Sequence, residues 1–270
     1  MSATQGFAQE NGYKNDKYQA SYGFNFDNDR GNIAFAAEYS SQEALEALDN
    51  PWTATSYRNM SFESIMGYER SEDQLNSTAF PDNFYTANAG YYTLNNSGVF
   101  GGNSQTFNAD GSIREIYTGD QVDGAFCANC DSFNLRQFTQ LQPEFDRTNL
   151  NVKGNYELND DTTVYAQAKY ARTRAITMGQ PAFFYGGSET TIYRNNAFLD
   201  DSVAAYMDEN ELDSIQLNRM MTDLGRRTEA DERETYRYVL GIEGYIGDEW
   251  SYEAFVNYGK TELERENRNN

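Results

Sequence analysis

The stretch that decides the fold is residues 145–175, FDRTNLNVKGNYELNDDTTVYAQAKYARTRA. Apolar or small residues fall at every second position: Leu150, Val152, Gly154, Tyr156 and Leu158 lead into Asn159-Asp160-Asp161, after which Val164, Ala166, Ala168 and Tyr170 return. Asn151, Lys153, Asn155, Gln167 and Lys169 stand between them. A period of two puts alternate side chains on opposite faces, so the pattern predicts an antiparallel hairpin with one apolar and one polar face. Asx side chains in a tight turn hydrogen-bond their own backbone, so Asp160-Asp161 is turn chemistry rather than a catalytic pair.

The same pattern recurs on either side. Tyr18, Ala20, Tyr22, Phe24 and Phe26 alternate with polar or small residues, DNDRGN turns, and Ile33, Phe35, Ala37 and Tyr39 continue the apolar face. Tyr236, Tyr238, Leu240, Ile242 and Ile246 precede a Gly247-Asp248-Glu249 turn, followed by Trp250, Tyr252, Ala254, Val256 and Tyr258. Three hairpins at about residues 13–41, 146–175 and 233–264 thus supply six strands of about ten residues. The connections between them, about residues 42–145 and 176–232, are far longer than the loops of about 15 residues that compact soluble domains tolerate. Short turns at one end and long loops at the other are the habit of outer-membrane barrels. The fold class expected is therefore all-β, an antiparallel transmembrane β-barrel segment with long, partly helical extracellular loops. A secreted acidic β-sandwich binding module shares the alternation, but its turns recur every 8 to 12 residues or so.

Composition narrows the functions. The formal net charge is −21, from 42 acidic and 21 basic side chains, which argues against nucleic acid as a partner. Mean hydropathy is −0.81, and no window offers the roughly 18 apolar residues of a membrane helix, although a barrel strand needs an apolar residue only at alternate positions. Twenty-one Tyr and 17 Phe suit a membrane interface, where an apolar ring with a polar tip is at home. The chain has no histidine, which removes the usual triads, imidazole bases and His-based metal sites. Its first residues lack the regions of a signal peptide and its last do not read as a closing strand, so it reads as an internal piece of a longer chain.

Within the loops, residues 41–48 (SQEALEAL) read as a short amphipathic helix, and residues 198–227 carry helical spacing at Val203, Tyr206 and Met207 and at Leu217, Met220 and Leu224, with Gly225 as a stop. Residues 85–107 suit turns and short strands. Cys127 and Cys130 form a CxxC for which three chemistries compete. Zinc lacks its remaining ligands and a redox motif lacks its helix, so a disulfide closing a small loop is preferred. Acidic clusters at Asp200-Asp201, Asp208-Glu209 and residues 229–234 lack the spacing of a calcium loop, and no metal or cofactor is expected.

Residues 30–53, 145–175 and 232–270 resemble the barrel region of TonB-dependent outer-membrane receptors of Gram-negative bacteria. The resemblance implies a cell outer membrane location and a barrel of about 22 strands with a plugged lumen. It also implies partners: outer-membrane lipid, the protein's own plug domain and TonB through parts of the chain outside this sequence, and a scarce solute such as siderophore-iron, carbohydrate or peptide. Such a protein binds and admits a solute without covalent chemistry. A passive porin-like protein is the nearest alternative. On this reading Glu38, Asn151, Lys153, Gln167, Lys169, Glu243, Glu253 and Asn257 face the lumen. Loop aromatics Trp52, Tyr57, Tyr91, Tyr92, Phe183, Phe184 and Tyr185 are candidates for stacking on a solute ring, though packing of the loops on themselves accounts for them equally well.

Overall fold

The computed structural model describes residues 1–8, 13–75, 77–186, 190–247 and 249–269. Strand makes up 57% and helix 13%, which places the chain in the all-β class. It divides into two compact units.

The first unit comprises Met1–Leu45, Gln140–Met178 and Thr228–Arg268 and is one seven-stranded sheet. Its strands are β1 (Ser2–Phe7), β2 (Lys14–Phe26), β3 (Gly31–Gln42), β4 (Glu144–Asn159), β5 (Thr162–Met178), β6 (Thr228–Ile246) and β7 (Trp250–Arg268), hydrogen-bonded antiparallel in that order. The sheet is open, with β1 and β7 as its edges. Six strands were expected and the seventh is β1, whose SATQGF has no apolar alternation and is held by backbone pairing with Lys14 to Gln19 of β2. The later strands also outrun their expected ends: β6 and β7 are 19 residues each, because the charged runs that follow their tyrosines stay in register.

The turns follow from backbone chemistry. Asp27, Asn28 and Asp29 all take positive φ, which short Asx side chains tolerate better than other non-glycine residues. Asp161 N–H donates to the Asn159 side chain at 3.0 Å, closing the second turn. In the third, Gly247 has φ +62°, while Asp248 lies outside the described residues.

Register settles the two faces. One row runs Tyr22, Phe35, Val152, Ala168, Tyr238, Tyr258, and the next apolar row runs Phe24, Ile33, Gly154, Ala166, Leu240, Val256. On the other face the rows are Lys17, Ser40, Arg147, Thr173, Arg233, Leu263; Gln19, Glu38, Asn149, Ala171, Thr235, Thr261; Ser21, Ala36, Asn151, Lys169, Arg237, Gly259; and Gly23, Ala34, Lys153, Gln167, Val239, Asn257. Alternation thus survives pairing across six strands, with Phe145, Tyr165, Tyr245, Phe255 and Leu263 as bulky residues on the polar side.

The second unit, Glu46–Thr139 with Gly179–Arg227 and Asn269–Asn270, is built from the two long connections. Among the described residues, every buried hydrophobic side chain belongs to it, including Met60, Phe62, Phe100, Val203, Met207, Ile215 and Met220. Phe100, Val203, Met207 and Ile215 form one core, and Met60, Ala89 and Ala128 another.

Both helices expected in the loops need correction. In residues 41–48, Ser41 and Gln42 still pair with strands on both sides, Leu45–Glu46 is extended, and Ala47–Asp49 is one 3-10 turn. The buried Ala47 gives its N–H to Thr139 C=O at 2.8 Å, a tertiary bond in place of a helical one. In residues 198–227 only Asp201–Glu209 is α-helical, capped at its start by Asp200. The chain then breaks at Glu211, which has positive φ, and Ser214–Gln216 and Arg219–Met220 pair as short strands. Ile215 joins the core of Val203 and Met207 from a strand, so the apparent helical spacing of Leu217, Met220 and Leu224 was carried by strand and 3-10 backbone.

Candidate functional site

Two sets of residues carry candidate chemistry, one in each unit. In the second unit, Tyr57–Ser61 pairs with Asn83–Ala87, which places Tyr57 and Tyr85 on one face of a hairpin with rings stacked at 4.9 Å. Arg58 faces the other way. Its guanidinium lies 4.9 Å from the centroid of Tyr91 and 4.6 Å from that of Phe126, whose own rings meet at 4.5 Å. These two rings come from paired strands, Ala89–Tyr91 and Phe126–Ala128, so the hairpin and the small sheet are joined by an arginine held between aromatic faces. Arg58 Nε is buried and has no hydrogen-bond partner among the described residues.

Cys127 sits in the same sheet, fully buried, and is joined to Cys130 by a disulfide with a Cα–Cα distance of 6.0 Å. Just beyond it, Asp131 accepts the Tyr117 N–H at 2.9 Å and pairs with Arg114. Partial burial pushes the Asp131 carboxyl up, but the Tyr117 N–H and the Arg114 guanidinium more than reverse this and hold it below its ordinary value.

The sequence candidates are dispersed over this unit. Tyr57 and Tyr91 belong to the two aromatic groups around Arg58. The Tyr92 hydroxyl donates to Gly124 C=O, and Trp52, on the short helix Pro51–Ala54, is 80% exposed. Phe183 and Phe184 pair with Met220 and Arg219, and the Tyr185 hydroxyl meets that of Thr93 at 2.9 Å. Asn218 ties this second group together: its side chain accepts the Gly186 N–H and donates to Thr93 C=O and to Asn103. Sequence reasoning missed Arg58, Tyr85, Phe126 and Asn218. Arg58 stands next to Tyr57 in a short alternating run, YRNMS, which was the one local sign available.

The acidic clusters resolve into structural partners. Asp200 caps its helix through Ser202, and the Arg194 guanidinium grips Asp208 with two bonds of 2.7 and 2.8 Å, holding its carboxyl below the ordinary value. Among the described residues no group of three or more His, Cys, Asp or Glu side chains is arranged to hold a metal ion.

In the first unit, the residues assigned to the lumen do share one face of the sheet: Glu38, Asn151, Lys153, Gln167, Lys169, Glu243, Glu253 and Asn257. Glu38 is bound by Lys17 at 3.0 Å and by the side chains of Gln19 and Asn149. Gln19, Glu38 and Asn149 border a hollow of about 490 Å³ with Ser21, Ala36 and Asn151. A second hollow, of about 410 Å³, lies toward the turns between Asp161, Thr163, Glu243, Ser251 and Glu253. Near it the Tyr165 hydroxyl donates to Glu253 at 2.6 Å.

No protein-family model matches the chain, and neither does any curated protein or solved structure.

Proposed function

We propose that this chain forms part of the wall of an outer-membrane β-barrel of the TonB-dependent receptor kind, its long loops admitting and selecting a solute by binding. One observation carries the proposal: an apolar face six strands wide is left uncovered. Tyr22 is 70% exposed, Leu240 59% and Val256 64%. In water so broad a patch is a liability, whereas hydrocarbon is its natural solvent.

The edge of that face supports the same reading. Tyr18, Tyr39, Tyr170, Tyr236 and Tyr258 lie on it, one on each of β2, β3, β5, β6 and β7, and charge follows directly at Asp16, Arg172, Glu234 and Lys260 on the loop side. Tyrosine collars of this kind mark bilayer interfaces. The line they trace is oblique to the hydrogen-bond rows. Tyr22 is the middle of its strand's apolar run, residues 18–26, yet its row ends at Tyr258, the limit of the run 250–258 on β7. A shift of four residues over five strand steps, at about 3.3 Å and about 4.8 Å respectively, is a lean of about 30°. Strands in closed membrane barrels are tilted to a similar extent. Closure would require further strands at β1 and β7, since unpaired backbone is not tolerated in hydrocarbon.

Spin labels on single cysteines test this in the full-length protein in its membrane. Labels at Tyr22→Cys, Val152→Cys and Leu240→Cys should collide with dissolved oxygen more than with a polar nickel chelate, and labels at Ser21→Cys, Lys153→Cys and Val239→Cys should show the reverse. Equal preference at the two sets would refute the barrel.

A further inference from the structure

We infer that the polar face of the wall carries a binding site for a small polyanion, a phosphate or a compact di- or tricarboxylate, at Lys153, Lys169 and Arg237. The inference rests on the barrel reading and narrows its solute class.

Charge on this face is distributed against the trend of the chain. The whole sequence has a net charge of −21. Yet the four rows from Lys17 down to Asn257 hold Lys17, Arg147, Lys153, Lys169, Arg233 and Arg237 with a single carboxylate, Glu38. Lys17 is paired with that carboxylate. Among the described residues the other five cations make no ion pair, and all are exposed. The carboxylates Glu157, Glu243 and Glu253 are gathered lower on this face, toward the turns.

Lys169 and Arg237 are direct cross-strand partners. Like charges so placed, with Cβ atoms about 5 Å apart, destabilise a sheet unless an anion lies between them. Lys153 is opposite Gln167 and therefore diagonal to Lys169, about 7 to 8 Å away. The Arg237 guanidinium is steered by Asn257, to which its Nε donates at 3.0 Å. Three cations of two geometries, an arginine fork and two ammonium groups, thus stand on three neighbouring strands in two adjacent rows, which also hold the amides of Asn151, Gln167 and Asn257. Such a set suits one compact anion bearing two or three charges. At long range an acidic protein repels an anion, but screening confines that field to about 8 Å at physiological salt, so the local cations govern contact.

The test uses the full-length protein in detergent micelles and calorimetric titration with citrate, inorganic phosphate and, as an uncharged control, raffinose. Citrate should bind, more weakly as salt rises, and Lys169→Gln/Arg237→Gln should weaken it by about tenfold or more, with Lys153→Gln doing so to a smaller degree. The variants should retain the thermal stability of the wild type or exceed it when no anion is present, because the like-charge pair is gone. Citrate affinity unchanged in the double variant and in Lys153→Gln would overturn the site. So would failure of the wild type to bind citrate or phosphate, and carbodiimide coupling of Lys169 to one of the protein's own carboxylates would then identify an acidic segment as the occupant. A spin label at Leu240→Cys in the same preparation separates the two failures: lipid exposure without citrate binding sinks only the anion site, whereas no lipid exposure sinks the barrel.

Discussion

The ring of Tyr165 lies across its cross-strand partner Gly241, so closely that a Cβ on the glycine would stand 2.3 Å from Tyr165 Cζ. Phe26 covers Gly31 in the same way. Each glycine leaves a gap in its strand that the neighbouring ring fills, and in the first pair this also aims the Tyr165 hydroxyl at Glu253. Gly241→Val should therefore displace the ring, break that bond and cost about 1 to 3 kcal/mol, as overpacking does. Urea titration of the folded protein in micelles checks it, with Gly259→Val as a comparison, since only backbone at 3.8 Å faces that position.

Leu240→Arg should cost about 2 to 4 kcal/mol on the barrel reading, because it sits in the apolar rows near the middle of the band, and Val164→Arg, at the turn end of its apolar run, should cost less. Lys169→Ala, on the opposite face, should be mild. Yield of correctly assembled protein in the outer membrane separates the two, and equal losses would mean the faces are inverted or irrelevant.

Arg70 should make the segment around it sensitive to acid. Its side chain is only 8% exposed, packs over Phe62 and pairs with Glu63 at 2.8 Å and Asp82 at 2.6 Å. The Arg70 guanidinium holds the Glu63 carboxyl below its ordinary value. A carboxyl depressed in the folded state contributes stability that is complete above its unfolded pKa and is lost as pH falls through the folded one. Hydrogen exchange at Phe62 and Gly67 should accelerate once pH drops below the ordinary carboxylate range, and Glu63→Gln should abolish most of that dependence.

Reducing the disulfide between Cys127 and Cys130 should act locally. Closing a loop this short is worth about 2 kcal/mol in the chain-entropy account. Proteolysis near residue 130 should speed up after reduction, while the sheet of β1 to β7 keeps its stability. A fall in both would mean that the two units unfold together.

The sheet was largely legible in the sequence because a two-residue period is written by burial preferences at every position, and the three turns are written by Asx and glycine. What escaped was decided by backbone and by distant partners. β1 pairs without any apolar signature, the run at Ala47 is drawn out of a helix by Thr139, and Ile215 reaches the core of Val203 from a strand. Of the candidate site, the aromatic residues could be named but not grouped. The grouping depends on Arg58, Phe126 and Asn218, whose roles arise only when segments far apart in sequence meet. Likewise Lys169 was readable as polar-facing, but its pairing with Arg237 required the register.

The uneven reach of the strands past their tyrosines has a mechanical consequence. β2 begins only four residues before Tyr18 and β3 ends three past Tyr39, whereas β6 begins eight before Tyr236 and β7 runs ten past Tyr258, ladder intact. At about 3.3 Å per residue, that side keeps a charged parapet of about 26 to 33 Å, against about 10 to 13 Å at β2 and β3. With fewer ladder bonds to hold it past the tyrosines, the β2–β3 side of the sheet should unravel first when the protein is pulled.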